Sequence, residues 1–139
     1  MKRTLAIADI ISNAAKLKKN EDKANYLREH DSEPLRYILE LAFHPNVGWN
    51  LPPGAPPYKE CEVLDTEGRL YHDSRTLPMY LTGNRLDLSQ VKREMLFIGL
   101  LESIYPADAK LLIAVKDKKV KGLNRDIVNL AFPGLIPNE

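Results

Sequence analysis

In the first third of the chain the apolar residues recur with helical spacing. Ile7, Ile10, Ile11, Ala14 and Leu17 lie three or four positions apart, which puts them on one face of a helix from about Thr4 to Leu17. After the polar break KKNED, Ala24 and Leu27 predict a short second helix ending near His30. In DSEP, Asp31 or Ser32 can cap a third helix and Pro34 suits its first turn. Leu35, Ile38, Leu39, Ala42 and Phe43 form its apolar face. It must stop by His44, because Pro45 drives the preceding residue out of helical geometry.

From Pro45 to about Asn84 the pattern breaks. NVGWNLPPGAPPYKE holds four prolines and two glycines, so it sustains neither helix nor central strand and is expected to run as an extended loop pinned by Trp49 and Tyr58. In CEVLDTEGRLYHDSR the turn signal at Thr66 to Gly68 allows a small β-hairpin, while a short helix near Leu77 to Leu81 is the alternative.

Helical patterning then returns. Asp87 or Ser89 starts a helix whose stretch Met95 to Leu101 is apolar all round, a composition expected of a helix surrounded by others. Pro106 opens the next, with Leu111, Leu112 and Val115 inward and lysines at its end, where they complement the helix dipole. Asn124 caps a last helix, Leu123 and Val128 staple it, Ile127, Ala131 and Phe132 are its buried side, and Pro133-Gly134 ends it. The expected fold is mainly α: a single-domain helical bundle over residues 1–139 with an irregular proline-rich middle segment at 45–84.

Composition narrows the function classes. With 139 residues and 44% hydrophobic content the chain can bury a core of its own. Twenty Lys and Arg against nineteen Asp and Glu leave no global charge to draw it to nucleic acid or membrane, so an electrostatic partner must be read by a local patch. The longest apolar run, Met95 to Leu101, falls far short of the ~20 residues that span a bilayer. A single cysteine, Cys61, and an N-terminus without a continuous apolar stretch fit a cytoplasmic protein with no membrane partner.

No motif of enzyme chemistry survives inspection. His72, Asp73 and Ser74 have the residue types of a hydrolase triad, but they are adjacent and no Gly-x-Ser-x-Gly elbow accompanies them. His30, His44, His72 and Cys61 lack metal-ligand spacing and no phosphate-binding loop is present, so no catalytic residue, metal or cofactor is expected. Glu60 and Glu62 beside Cys61 disfavour a reactive thiolate.

The local charge lies in KDKKVKGLNR, residues 116–125, with five cations around Gly122. Lys118, Lys119 and Lys121 supply charge, Gly122 permits close approach, Asn124 offers a hydrogen bond and Arg125 a fork of donors, a set able to grip phosphates without reading bases. The ordinary reading is a wet turn in which Gly122 ends one helix and Asn124 caps the next. A second candidate surface is WNLPPGAPPYKE, where Trp49 and Tyr58 either dock a protein partner or brace the bundle.

DKKVKGLNRDIVNLAFPGLIP resembles the end of the N-terminal helical DNA-binding domain of ATP-dependent DNA ligases, most closely those of T4-like phages. IADIISNAAKLKKNEDKANYLREHDSEPLRYILELAF is similar to that domain's first three helices, and the proline-rich middle is unmatched. The resemblance implies a bacteriophage accessory protein in the host cytoplasm that grips double-stranded DNA weakly and largely without sequence preference, alongside phage or host replication proteins. Carried over, it makes Lys119, Lys121, Gly122, Asn124 and Arg125 the DNA-facing set. The ligases' adenylation lysine sits in Lys-x-Asp-Gly, and this sequence has no Asp-Gly pair, so the expectation is a free-standing relative without catalysis. The alternative is a phage structural or adaptor protein using the Trp49–Tyr58 loop.

Overall fold

Helices carry the architecture, in the order expected from the patterning. The structure, a computed structural model, describes residues 5–84 and 86–136. The described helices are α1 (Ile7–Ala15), α2 (Asn20–Glu29), α3 (Glu33–Phe43), α4 (Arg69–Asp73), α5 (Gln90–Ser103), α6 (Pro106–Lys116) and α7 (Arg125–Ala131), with a 3-10 helix, Ser74–Tyr80, continuing from α4. The expected helix start at Thr4 and the final Pro137 of the ligase-like exit lie outside the described residues.

The local signals explain most of the boundaries. Ser32, Ser89 and Asn124 each accept a hydrogen bond from the backbone N–H three residues on, which satisfies one of the donors a helix start leaves open. α1 has no such side chain of its own. Its cap comes from α6, where buried Asp108 accepts the Ala8 N–H at 2.8 Å. Leu17, expected on the buried face of the first helix, lies beyond the end of α1 and is exposed.

The core gathers Ile7, Ile10 and Ile11 of α1, Leu27 of α2, Leu35, Ile38 and Leu39 of α3, Phe97 and Leu101 of α5, Leu112 and Val115 of α6, and Ile127 and Val128 of α7. Leu123 and Val128, the expected staple, are both buried in it. α2 packs chiefly on α7 and α1, and α6 links α1, α3 and α5.

The middle segment resolves the open alternatives. No hairpin forms at Thr66 to Gly68; the Arg69 N–H bonds Thr66 O at 3.0 Å and the chain turns directly into α4. Leu70, Ser74 and Leu77 are buried at helical spacing, and a strand of alternating faces would have exposed one of them. Among the described residues the one β-type pairing is an antiparallel bridge between Trp49 and Leu81. It is held by Asn50 N to Tyr80 O at 2.8 Å and Thr82 N to Gly48 O at 2.9 Å. α5 departs from expectation as well: Phe97, Leu100 and Leu101 are buried, but Val91, Met95 and Leu96 face outward.

Candidate nucleic-acid interface

The end of α6 closes with a Schellman motif, in which Lys119 N bonds Ala114 O at 2.8 Å and Lys118 N bonds Val115 O at 3.2 Å. The left-handed residue of that motif is Lys118, at φ 58°, and not Gly122. This geometry decides where each cation of the basic stretch goes.

Two of the five, buried Lys116 and partly exposed Lys118, donate to backbone carbonyls elsewhere in the fold. Lys116 is buried, and its Nζ donates to Pro52 O at 2.8 Å, Gly54 O at 3.0 Å and Asp117 Oδ1 at 2.6 Å. It ties the proline-rich loop to the bundle. Asp117 completes the clasp by accepting the Gly54 N–H. Burial pushes the Asp117 carboxyl upward, but the hydrogen bonds from Lys116 and Gly54 and the charges of Lys116 and Lys119 hold it below its usual range. Lys118 donates to Leu41 O at 2.6 Å and to His44 O at 3.4 Å, where the carbonyls at the end of α3 need donors. Burial of that ammonium lowers its pKa.

Lys119, Lys121 and Arg125 are exposed, as are Gly122 and Asn124. The Asn124 side chain accepts the Ile127 N–H at 2.9 Å and caps α7. Gly122 has a tertiary role. At φ 85° its backbone lies against α1, and a Cβ there would stand 2.5 Å from the Ala15 Cβ and 3.1 Å from the Ala15 Cα. Its carbonyl accepts Lys23 Nζ at 2.7 Å.

That contact joins two segments a hundred residues apart. Residues 16–19 leave α1 directly after Ala15, so exposed Lys16, Lys18 and Lys19 flank one side of this corner in sequence, as Lys121 and Lys119 flank the other. With Arg125 these make six exposed cations on the two segments that meet at Ala15 and Gly122, with exposed Glu21, Asp22 and Asp126 near them in sequence. KKNED is a polar break by its composition, and the packing of the preceding Ala15 on Gly122 is not visible in it.

The proline-rich loop borders the basic stretch: Trp49, Leu51 and Gly54 line one pocket with Lys116, Asp117 and Lys119. Trp49 and Tyr58 are half-buried against the core, and Trp49 Nε1 is buried without a partner among the described residues. Their loop is fixed further by Lys59 N to Glu102 and by Gln90 Nε2 to Asn50 O, each at 2.9 Å. His72, Asp73 and Ser74 follow one another across the end of α4, with the Ser74 hydroxyl donating to Tyr71 O at 3.2 Å. A cleft of about 560 Å³ lies between α3, α4 and Leu135, lined by charges of both signs, among them Glu33, Arg36, Glu40 and Arg75. It holds none of the basic corner. Among the described residues no helix is long and apolar enough to cross a membrane.

No curated protein matches the chain at a significant level. Residues 10–122, most of the chain and both partners of the Ala15–Gly122 contact, match a family of unknown function (DUF6433), and the chain belongs to that family.

Proposed function

We propose that this protein is a non-enzymatic accessory factor that binds duplex DNA through the phosphate backbone, at the corner formed by residues 16–19 and 119–125. The observation that carries the reading is the packing of Gly122 on Ala15, which adds Lys16, Lys18 and Lys19 to Lys119, Lys121 and Arg125. Exposed lysines and an arginine on two backbone segments suit a ligand whose charge repeats along a strand. The resemblance of the C-terminal segment to ligase DNA-binding domains favours duplex DNA as that ligand. The loop that a protein-docking adaptor would use has its two aromatic residues packed against the core, so the DNA reading is preferred.

The acidic residues near this corner in sequence and the net charge of +1 set the expected strength. A corner that neutralises about three to five phosphates binds weakly, and its log affinity falls with log salt at a slope of about −3 to −5. Fluorescence anisotropy with a labelled duplex of about 20 bp, from low to physiological salt, tests this. The variants Lys119→Glu/Lys121→Glu/Arg125→Glu and Lys16→Glu/Lys18→Glu/Lys19→Glu should each abolish binding. Absence of wild-type binding at the lowest salt would overturn the proposal.

A further inference from the structure

The outward face of α5 is not accounted for by the chain that carries it. Val91 is 70% exposed, Met95 66% and Leu96 39%, and they share that face with Lys92, Gly99 and Glu102. Positions 92, 95, 96, 99 and 102 follow the three-and-four spacing of a single helical stripe. Gly99 stands at its middle. A Cβ at 99 would meet nothing within 4 Å, so no neighbour inside the chain requires a glycine there. Glycine is among the poorest helix formers, and its missing side chain permits the close approach of another backbone.

The charges of the stripe fit the same explanation. Lys92 lies in the first turn of α5 and Glu102 in its last, each at the end where the helix dipole disfavours it. An antiparallel copy of α5 reverses both relationships. Lys92 then faces the partner's Glu102, the partner's Lys92 faces Glu102, and the two dipoles oppose. A parallel pairing would set lysine against lysine. With that register, Met95 lies over the partner's Gly99, so a long side chain fills the space the glycine leaves. One oxygen of Glu102 accepts the Lys59 N–H at 2.9 Å, which fixes the carboxylate while the side chain stays exposed.

We infer that the Val91–Glu102 face of α5 is the contact surface of a two-fold symmetric, antiparallel dimer of this chain. The surface is isologous: the same residues serve both sides, and one rotation closes the assembly. Its apolar centre, with charges at either end, has the composition of an interface core and rim.

Light scattering on the full chain, over about a hundredfold range of concentration, tests the inference. Wild type should move from monomer toward dimer as concentration rises. Gly99→Gln is the decisive variant, because its two effects have opposite signs. It should raise the melting temperature of the monomer by about 2–4 °C through helix propensity, and weaken the dimer at least about tenfold by blocking close approach. Met95→Lys should weaken the dimer without raising the melting temperature. A wild type that stays monomeric at every concentration would overturn the inference, and so would a dimer that neither Gly99→Gln nor Met95→Lys disturbs.

Discussion

Gly122 and Ala15 approach so closely that any side chain at 122 would overlap the end of α1, with a Cβ only 2.5 Å from the Ala15 Cβ. The positive φ of 85° adds a second constraint, since side-chain-bearing residues rarely adopt it. Gly122→Ala is therefore expected to cost about 2–3 kcal/mol, which combines backbone strain with overpacking. Urea denaturation of the variant measures it. Because the same contact joins the segments that carry residues 16–19 and 119–121, the folded variant should also bind duplex DNA more weakly than wild type; undiminished affinity would show that the two segments do not act together.

Lys118 and Lys119 are adjacent in sequence and opposite in role. The Lys118 ammonium closes the end of α3 through Leu41 O and His44 O, while the Lys119 side chain is exposed at the basic corner. Lys118→Met should lower stability by about 1 kcal/mol, the loss of a partly exposed charged hydrogen bond, and leave DNA affinity nearly unchanged. Lys119→Met should do the reverse, with a shallower salt dependence of binding and unchanged stability. Paired denaturation and anisotropy curves for the two variants distinguish these outcomes, and equal loss of affinity in both would mean that Lys118 releases α3 to reach the ligand.

The contrast shows which parts of the molecule were legible in the sequence. The caps at Ser32, Ser89 and Asn124 and the proline starts of α3 and α6 are local signals, and each sits where its side chain acts on a backbone group within three residues. The lysine-rich turn was legible as charge but not as geometry. Whether a lysine points to solvent or to Leu41 O depends on a helix 77 residues away, and no spacing rule reports that. A glycine in this turn fits a helix end or a close backbone approach; Lys118 takes the left-handed conformation at the end of α6, and the glycine answers to Ala15. The hairpin signal at Thr66 to Gly68 lost to the burial of Leu70, Ser74 and Leu77 along one helical face.

Asp108 supplies the clearest pH dependence in the fold. It is fully buried, its Oδ1 accepts the Ala8 N–H at 2.8 Å, and its Oδ2 has no partner among the described residues. Burial pushes the carboxyl from an ordinary value of 3.8 up to about 7; the Ala8 N–H opposes the rise, and Asp9 and Glu67 add to it. The folded chain thus keeps this proton until near pH 7, whereas the unfolded chain releases it near pH 4. Between those limits unfolding liberates a proton, so the stabilising contribution is complete below about pH 4, shrinks as pH rises and is gone above about pH 7. The span corresponds to at most about 4 kcal/mol, and a loss of about 2–4 kcal/mol is expected. Asp108→Asn retains an oxygen for the Ala8 N–H but cannot ionise, which removes this part of the pH profile. Denaturation midpoints of both proteins, measured from pH 4 to pH 8, should converge at the acid end and separate toward the alkaline end, with the variant the more stable. Parallel profiles would mean that Asp108 is ionised in the folded state throughout, and that its charge is stabilised at the start of α1 by the Ala8 N–H and the helix dipole.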